Sequence, residues 1–350
     1  MTRQAHILVI RLSALGDVAM LVPVIRVFQQ TYPSVQLSLL SRAKMEPIFT
    51  VFKDINFLVF DPEKDNGVKG LWSLFQNLRK ENSTAIADMH YVLRSRLLGL
   101  FFKGFGYKVK SINKNRRDKR ALTRPINKKF SPIAAVHYAY ADVFRQLGYP
   151  IDLSKHIFPD LPLKKGIFVL EGIALDNNKW IGIAPFAAHP GKCYPLDLMQ
   201  KVVAYLQQDH KVLLFGGGAK EEAQMSRWEA AYKNVYSVVK QPLAIQLKLM
   251  PYLDVMLAMD SANGHLAANF GLPVVTLWGM THPFLGFKPF RQPNENQLVL
   301  NREQYPKIPT SVFGNKIPEG YENAFRSLQP KTVIEKVLEV LGEKKGYTSS

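Results

Sequence analysis

Asp260-Ser261-Ala262-Asn263-Gly264-His265 decides how this chain is read, because it stands between a buried apolar run and a small-residue helix. Leu253 to Met259 has the length and apolarity of a buried strand, and Leu266-Ala267-Ala268-Asn269-Phe270 reads as the helix that follows. Gly271-Leu272-Pro273 then leads into a second apolar strand, Val274 to Trp278. A strand, a small-residue turn and a helix start leave backbone N–H groups free to face an anion, and the helix dipole favours negative charge there. The same residues also suit an ordinary βα turn with Asp260 or Ser261 as N-cap. What the rest of the chain supplies decides between them.

Working outward, strand and helix patterns alternate along most of the sequence. Ile7 to Ile10 reads as a first strand, Ser13-Ala14-Leu15-Gly16-Asp17 as a βα loop and Val18 to Thr31 as one amphipathic helix. Strands follow at Val35 to Leu40, Phe57 to Phe60 and Ala85 to Asp88, with helices at Leu71 to Arg79, Leu93 to Phe102 and Val136 to Leu147. The last of these stops at Gly148-Tyr149-Pro150. The pattern weakens from Ile151 to about Lys179, where the interdomain connection is expected. A second series follows: strand Ile181 to Ala184, helix Leu196 to Gln208, strand Val212 to Phe215, and helices Lys220 to Tyr232 and Leu243 to Leu249. Thr281 to Gln329 reads as loops, and Lys331 to Leu341 as a last amphipathic helix. Two βα series of similar length predict an α/β fold of two Rossmann-like doubly wound domains facing across a cleft. The expected bounds are 1–165 for an acceptor-binding domain and 166–328 for a nucleotide-sugar domain. The C-terminal helix and polar tail, 329–350, have packing back on the first domain as one option.

A chain of 350 residues that is 47% hydrophobic and 21% charged reads as a folded, soluble protein of two domains. Arg11 and Asp17 interrupt the first apolar run, which fits neither a signal peptide nor a transmembrane helix, so a cytoplasmic location is expected. A single cysteine, Cys193, excludes an internal disulfide framework and a cysteine-based zinc site. The net charge of +18 is the compositional outlier. Between Arg94 and Lys129 eleven further Lys and Arg residues face one acid, Asp118, a block suited to a phosphorylated glycolipid, an anionic membrane surface or nucleic acid, or simply to a solvated face. No nucleic-acid module is present in the sequence, and no nucleic-acid partner is expected.

Three loops at the predicted carboxyl ends of parallel strands carry the chemistry. Ser13 to Asp17 places a carboxylate at a sheet edge, where Asp17 suits a general base or a plain helix cap. Pro185 to Pro195 carries Lys192 beside Gly191, either to neutralise a diphosphate or as an exposed lysine. Gly216-Gly217-Gly218 opens a helix bearing Glu221 and Glu222, either of which suits ribose hydroxyls. The glycines lack the spacing of a dinucleotide fingerprint and the Lys-Ser/Thr of a P-loop. His189 has no ligand cluster around it, and no metal site is expected.

Arg11-Leu12-Ser13-Ala14-Leu15-Gly16-Asp17, Lys192-Cys193-Tyr194-Pro195, Phe215-Gly216-Gly217, and Asp260-Ser261 through His265-Leu266-Ala267-Ala268 together resemble the heptosyltransferases, glycosyltransferase family 9. The resemblance runs from Ile7 to about Val340. It implies a glycosyltransferase B fold and an inverting, metal-independent transfer of heptose from ADP-heptose to a lipopolysaccharide core acceptor of the lipid A–Kdo type, with no cofactor. Asp17 matches the family's base and Lys192 its lysine near the diphosphate. Asp260 matches the contact to the transferred sugar, while Ser261, Ala262, Gly264 and His265 lie on the phosphate turn. Gly217 with Glu221 or Glu222 matches the ribose site. Arg116, Arg117, Lys119, Arg120 and His137 are the counterparts for acceptor phosphates. Ala262 replaces the usual Gly, Tyr194 a common Trp, and His90 a usual Gln. The implied partners are a nucleotide-sugar donor, a phosphorylated glycolipid and, through charge, the inner membrane surface. A same-fold enzyme with another sugar nucleotide or glycan acceptor, and a non-catalytic nucleotide-sugar-binding protein, are the alternatives.

Overall fold

The computed structural model describes residues 4–161, 168–170 and 173–343. The chain divides into two compact units. One holds the chain up to Lys114 together with Ala135–Ile157; the other holds Asn115–Ala134 and the chain from Phe158 onward. The boundary expected at 165/166 lies outside the described residues.

The first unit is built on five parallel strands, β1 (His6–Ile10), β2 (Gln36–Ser41), β3 (Ile55–Val59), β4 (Ala85–Asp88) and β5 (Lys108–Ser111), in the order β3-β2-β1-β4-β5. Ile7 of β1 stands opposite Leu37 on one side and Ala85 on the other. Every residue of β1 is buried, which is why it is apolar throughout instead of alternating. Helices α1 (Leu15–Ala19), α2 (Val22–Thr31), α3 (Gly67–Arg79) and α4 (Leu93–Gly104) connect the strands. The single helix expected over Val18 to Thr31 is two, because Pro23 has no N–H to continue the ladder across Met20 and Leu21. Phe60, Phe75 and Phe102 join Leu8 and Ile10 in one core cluster.

After β5 the chain leaves this unit. Helix α5 (Arg116–Thr123) and the residues after it belong to the second unit, before α6 (Val136–Leu147) returns to the first and ends at Gly148, φ +104°. The part of the basic stretch from Asn115 to Lys129, read from sequence as belonging to the first domain, is therefore built into the other one, while Arg94 to Lys114 stay in the first. The physical reason is a set of long-range contacts. The Lys128 ammonium donates to the carbonyls of Leu122 at 2.8 Å, Lys307 at 3.0 Å and Pro309 at 2.7 Å. Phe130 packs on Phe284 with ring centroids 4.8 Å apart, beneath the Arg302 guanidinium. The Ile133 N–H donates to the Phe284 carbonyl at 2.9 Å.

The rest of the second unit begins with an antiparallel pair, β6 (Phe168–Leu170) and β7 (Ile173–Leu175). Its main sheet comprises β8 (Trp180–Ala184), β9 (Lys211–Leu214), β10 (Val235–Ser237), β11 (Val255–Met259), β12 (Val274–Trp278) and β13 (Gln297–Val299), all parallel, in the order β10-β9-β8-β11-β12-β13. Its helices are α7 (Leu196–Leu206), α8 (Ala219–Ala231), α9 (Leu243–Leu249), α10 (Ala262–Ala268) and α11 (Pro330–Val340). Val333, Ile334, Val337 and Leu338 of α11 are buried in one cluster with Val202 and Val203 of α7. The apolar face of α11 is thus used within the second unit. The short strands β5, β10 and β13 have too few residues to show a period in the sequence.

In each main sheet the strand order reverses at the centre, between β1 and β4 in one and between β8 and β11 in the other. At such a point the connections leave in opposite directions, and a crevice opens at the carboxyl ends of the strands. Arg11 to Asp17 and Met89-His90 lie there in the first unit. Lys192 and Asp260-Ser261 lie there in the second.

Candidate active site

In the first unit Asp17 is the third residue of α1, reaching back over its start. Oδ2 accepts from the Arg11 guanidinium at 2.6 Å and from the Ala14 N–H at 3.4 Å. Oδ1 has no partner among the described residues, and the side chain keeps 30% of its surface exposed. One oxygen is therefore anchored and the other is open. Arg11 is buried; it also donates to the Met89 carbonyl at 2.7 Å and lies 5.8 Å from the Tyr140 ring centroid. The Tyr140 hydroxyl donates to the Asp17 carbonyl at 3.1 Å, and burial raises its pKa, so it stays protonated. Neither Arg11 nor Tyr140 drew a role from the sequence, although Arg11 stands in the motif that contains Asp17.

Next to this pair, Asp88 at the end of β4 is buried and accepts from the N–H groups of His90 and Tyr91 and from the Ser95 hydroxyl. Burial raises its pKa against the pull of those three donors. His90 is 8% exposed, and its Nδ1 is buried with no hydrogen-bond partner among the described residues. Burial, then the charges of Arg11 and Lys114, lower its pKa to about 3, so the imidazole is neutral. His137, read as a phosphate contact, is 2% exposed within α6.

In the second unit Lys192 sits at the end of a short 3-10 turn, Pro190–Lys192, after β8. Its ammonium meets Asp260 Oδ2 at 2.8 Å, and the same oxygen accepts the Thr281 hydroxyl at 2.8 Å. The side chains are 16% and 4% exposed, so this is a buried ion pair with one extra donor. The turn is held from a distance. The Gly191 N–H donates to the Gly314 carbonyl at 3.1 Å, and the Met280 N–H to the Gly191 carbonyl at 2.7 Å. A Cβ on Gly314, whose φ is +71°, would stand 2.6 Å from Lys192 Cγ. Thr281 and Gly314 fall in the stretch read as loops, where no local pattern marks them.

Neither Asp260 nor Ser261 caps α10 with its side chain. Asp260 is committed to Lys192 and Thr281, while Ser261 Oγ is buried without a hydrogen-bond partner among the described residues. A buried, unpaired hydroxyl costs about 1–3 kcal/mol and calls for an explanation. Ala262 is the first residue of α10, and His265 is buried further along it. Gly264 faces the sheet instead of the turn: a Cβ there would make ordinary contacts with Ala258 and Val274 at 3.5 Å.

The glycine loop separates the two glutamates. The Gly217 N–H donates to Glu221 Oε2 at 2.9 Å, and burial raises the Glu221 pKa. Glu222 turns away to Lys240 at 3.5 Å. Gln246, buried below, donates to the carbonyls of Gly216 and Gln241, each at 3.0 Å. Tyr194 is core: it is fully buried, donates to the Leu328 carbonyl at 2.6 Å and packs edge-on against Phe325. On α5, Arg116, Arg117 and Arg120 are exposed, and Lys119 lies 4.1 Å from the Phe287 ring centroid. Arg117, Arg120, Arg124 and Lys129 line an open hollow of about 740 Å³ with Asp118 and Ala121. Among the described residues no three His, Cys, Asp or Glu side chains group as a metal ion would require.

The family model of glycosyltransferase family 9 (heptosyltransferase) matches residues 71–317. The lipopolysaccharide core heptosyltransferase OpsX of Haemophilus influenzae is 24% identical over 283 residues, covering 79% of each chain. A family 9 glycosyl transferase of Veillonella parvula superposes with a TM-score of 0.72 at 19% identity, over 97% of this chain and 98% of that one. E. coli heptosyltransferase WaaC, solved with ADP, gives 0.68 at 15% identity, over 96% and 99%. The family resemblance seen in the motifs is thereby borne out, and so is the fold of two parallel-sheet α/β domains of the glycosyltransferase B type.

Proposed function

The chain belongs to glycosyltransferase family 9, the heptosyltransferases, and we propose that it moves a heptose from ADP-heptose to a lipopolysaccharide core acceptor of the lipid A–Kdo type. The observation that carries the donor half is the unpaired Ser261 hydroxyl beside the buried Lys192–Asp260 pair. A diphosphate oxygen would accept from that hydroxyl and from the N–H groups at the start of α10, and Lys192 would balance its charge. Asp260, oriented by Lys192 and Thr281, has Oδ1 left for a hydroxyl of the sugar. Glu221 reaches the glycine loop and is our choice over Glu222 for the ribose hydroxyls, with Gly217 giving backbone access. The WaaC structure with ADP supports a nucleotide of this type, and the name of OpsX supports the core acceptor.

In the reaction Asp17 removes the proton of the acceptor hydroxyl as that oxygen attacks the anomeric carbon. The bond to the diphosphate breaks, its electron pair leaves with ADP, and the configuration inverts. Charge develops on the departing diphosphate, which Lys192 and the Ser261 hydroxyl would stabilise. No metal enters this scheme, so excess EDTA should leave the rate unchanged. The exposed arginines of α5, with Lys119, receive acceptor phosphates and bring the protein to an anionic membrane face.

The test is Asp17→Asn, which keeps the shape and loses the base. Turnover should fall roughly 10²–10⁴-fold while ADP-heptose affinity holds. Unchanged turnover removes Asp17 from the role. A nucleotide-release screen across sugar nucleotides checks the donor, and a faster reaction with another sugar would overturn the choice of heptose.

A further inference from the structure

The outer face of α4 has the wrong chemistry for a helix that faces only water. Ser95, Leu98, Gly99 and Phe102 are buried against the first unit, as an amphipathic helix requires. On the opposite side Leu93 is 81% exposed and Leu100 62% exposed, with Leu97 between them at helical spacing. Arg96 and Lys103 run along one flank of these leucines, and α4 contains no acidic residue. The other flank is aromatic. Trp72 of α3, 40% exposed, meets Phe101 edge-on at 5.1 Å, and Phe105 is 48% exposed with the Arg79 guanidinium 4.5 Å from its ring centroid. Beside the helix an open hollow of about 380 Å³ has Leu93, Leu97, Leu100, Arg96 and Lys103 in its lining, together with the buried Asp88.

We infer that this face of α4 docks on a lipid bilayer with anionic headgroups, Leu93 and Leu100 entering the headgroup boundary while Arg96 and Lys103 pair with lipid phosphates. Exposed leucines gain from leaving water only if an apolar medium receives them, and a free phosphate offers none. A purely apolar partner would leave Arg96 and Lys103 unpaired. A headgroup layer over acyl chains satisfies both sets of groups at one depth, and the exposed aromatics suit the same boundary. Charge read from the sequence points to the whole block from Arg94 to Lys129; the structure adds an apolar contact on α4, in the first unit. The inference rests on the proposed function only in that a membrane-borne acceptor calls for such a contact.

Docking is measured without substrates, by sedimenting the full chain with phosphatidylglycerol-containing or pure phosphatidylcholine vesicles. The wild type should bind the anionic vesicles. L93D/L100D should weaken partitioning by about tenfold or more, with its circular dichroism and melting unchanged. R96E/K103E should lose the preference for phosphatidylglycerol. All three proteins should turn over a soluble, deacylated acceptor at the same rate. Failure of the wild type to bind overturns the inference, as does unchanged binding by a folded L93D/L100D. Loss of binding only in R117E/R120E would assign the contact to α5 and also overturn it. A dimer that L93D/L100D dissociates, with vesicle binding intact, would make the face a protein interface instead. Absence of transfer to the soluble acceptor with vesicle binding intact counts against the proposed function and leaves the docking face standing.

Discussion

At the scale of single residues, the second unit holds its central carboxylate in one arrangement through two contacts to the same oxygen. Thr281 is fully buried and donates to Asp260 Oδ2, which Lys192 also meets. Thr281→Val keeps the volume but leaves that oxygen one donor short in a low-dielectric site. Unfolding free energy should fall by about 1–3 kcal/mol in chemical denaturation, with turnover reduced as Lys192 loses its fixed partner. A variant as stable and active as the wild type would show that the hydroxyl does nothing there. Two buried histidines set the acid limit. Burial and neighbouring cations lower His90 to about 3, and burial lowers His282 to about 4. His282 Nδ1 accepts from the Phe284 N–H at 3.1 Å, a bond that protonation there would break. Below pH 6.5 the unfolded chain takes up protons that the folded one refuses, so stability falls with pH from 6.5 down to about 4. Each histidine contributes about 2 kcal/mol of that loss by pH 5. His90→Gln should make the stability–pH slope between pH 6.5 and pH 5 shallower, and an unaltered slope would refute the assignment.

At the scale of elements, α5 shows how few contacts fix where a charged helix goes. Its residues carry almost no apolar surface; Leu122 is the one buried side chain in the helix. The tether is Lys128, whose three carbonyl partners span two segments of the second unit, and the Phe130 ring under Arg302. Burial and the charge of Arg302 lower the Lys128 pKa to about 8, so the ammonium is charged at neutral pH and able to donate three times. Lys128→Met removes all three donors. Trypsin should then cut at Arg116 to Arg124 several times faster than in the wild type, while the melting of the remainder shifts little. Cleavage at the wild-type rate would mean that the aromatic contacts suffice. The sequence shows the basic block plainly but not the unit it joins, because charge periodicity says nothing about distant carbonyls.

Over the whole molecule, the net charge of +18 is spread through both units, and both carry basic surface, on α4 in one and α5 in the other. No helix among the described residues is long and apolar enough to cross a membrane. Attraction between the exposed charges of α5 and a phosphorylated acceptor is screened beyond about 8–10 Å at physiological salt. The apparent KM for the acceptor should therefore rise several-fold between about 50 mM and about 300 mM salt, as the Debye length shortens, while kcat stays level. A KM indifferent to salt would rule out acceptor capture by these charges.

Apolar runs of four to six residues, spaced by helical patterns, were enough to identify parallel strands, since burial on both faces leaves no other composition workable. The same logic places Asp17, Lys192 and Asp260 at carboxyl strand ends, and the four motifs carry the family. Other features needed the folded chain. Thr281 reaches Asp260 across 21 residues, Lys128 reaches Pro309 across 181, and α11 spends its apolar face on α7. The choice between Glu221 and Glu222 and the unpaired state of Ser261 depend on side-chain direction. Local sequence records what a backbone segment prefers; which distant donor completes a buried carboxylate is decided only when the segments pack.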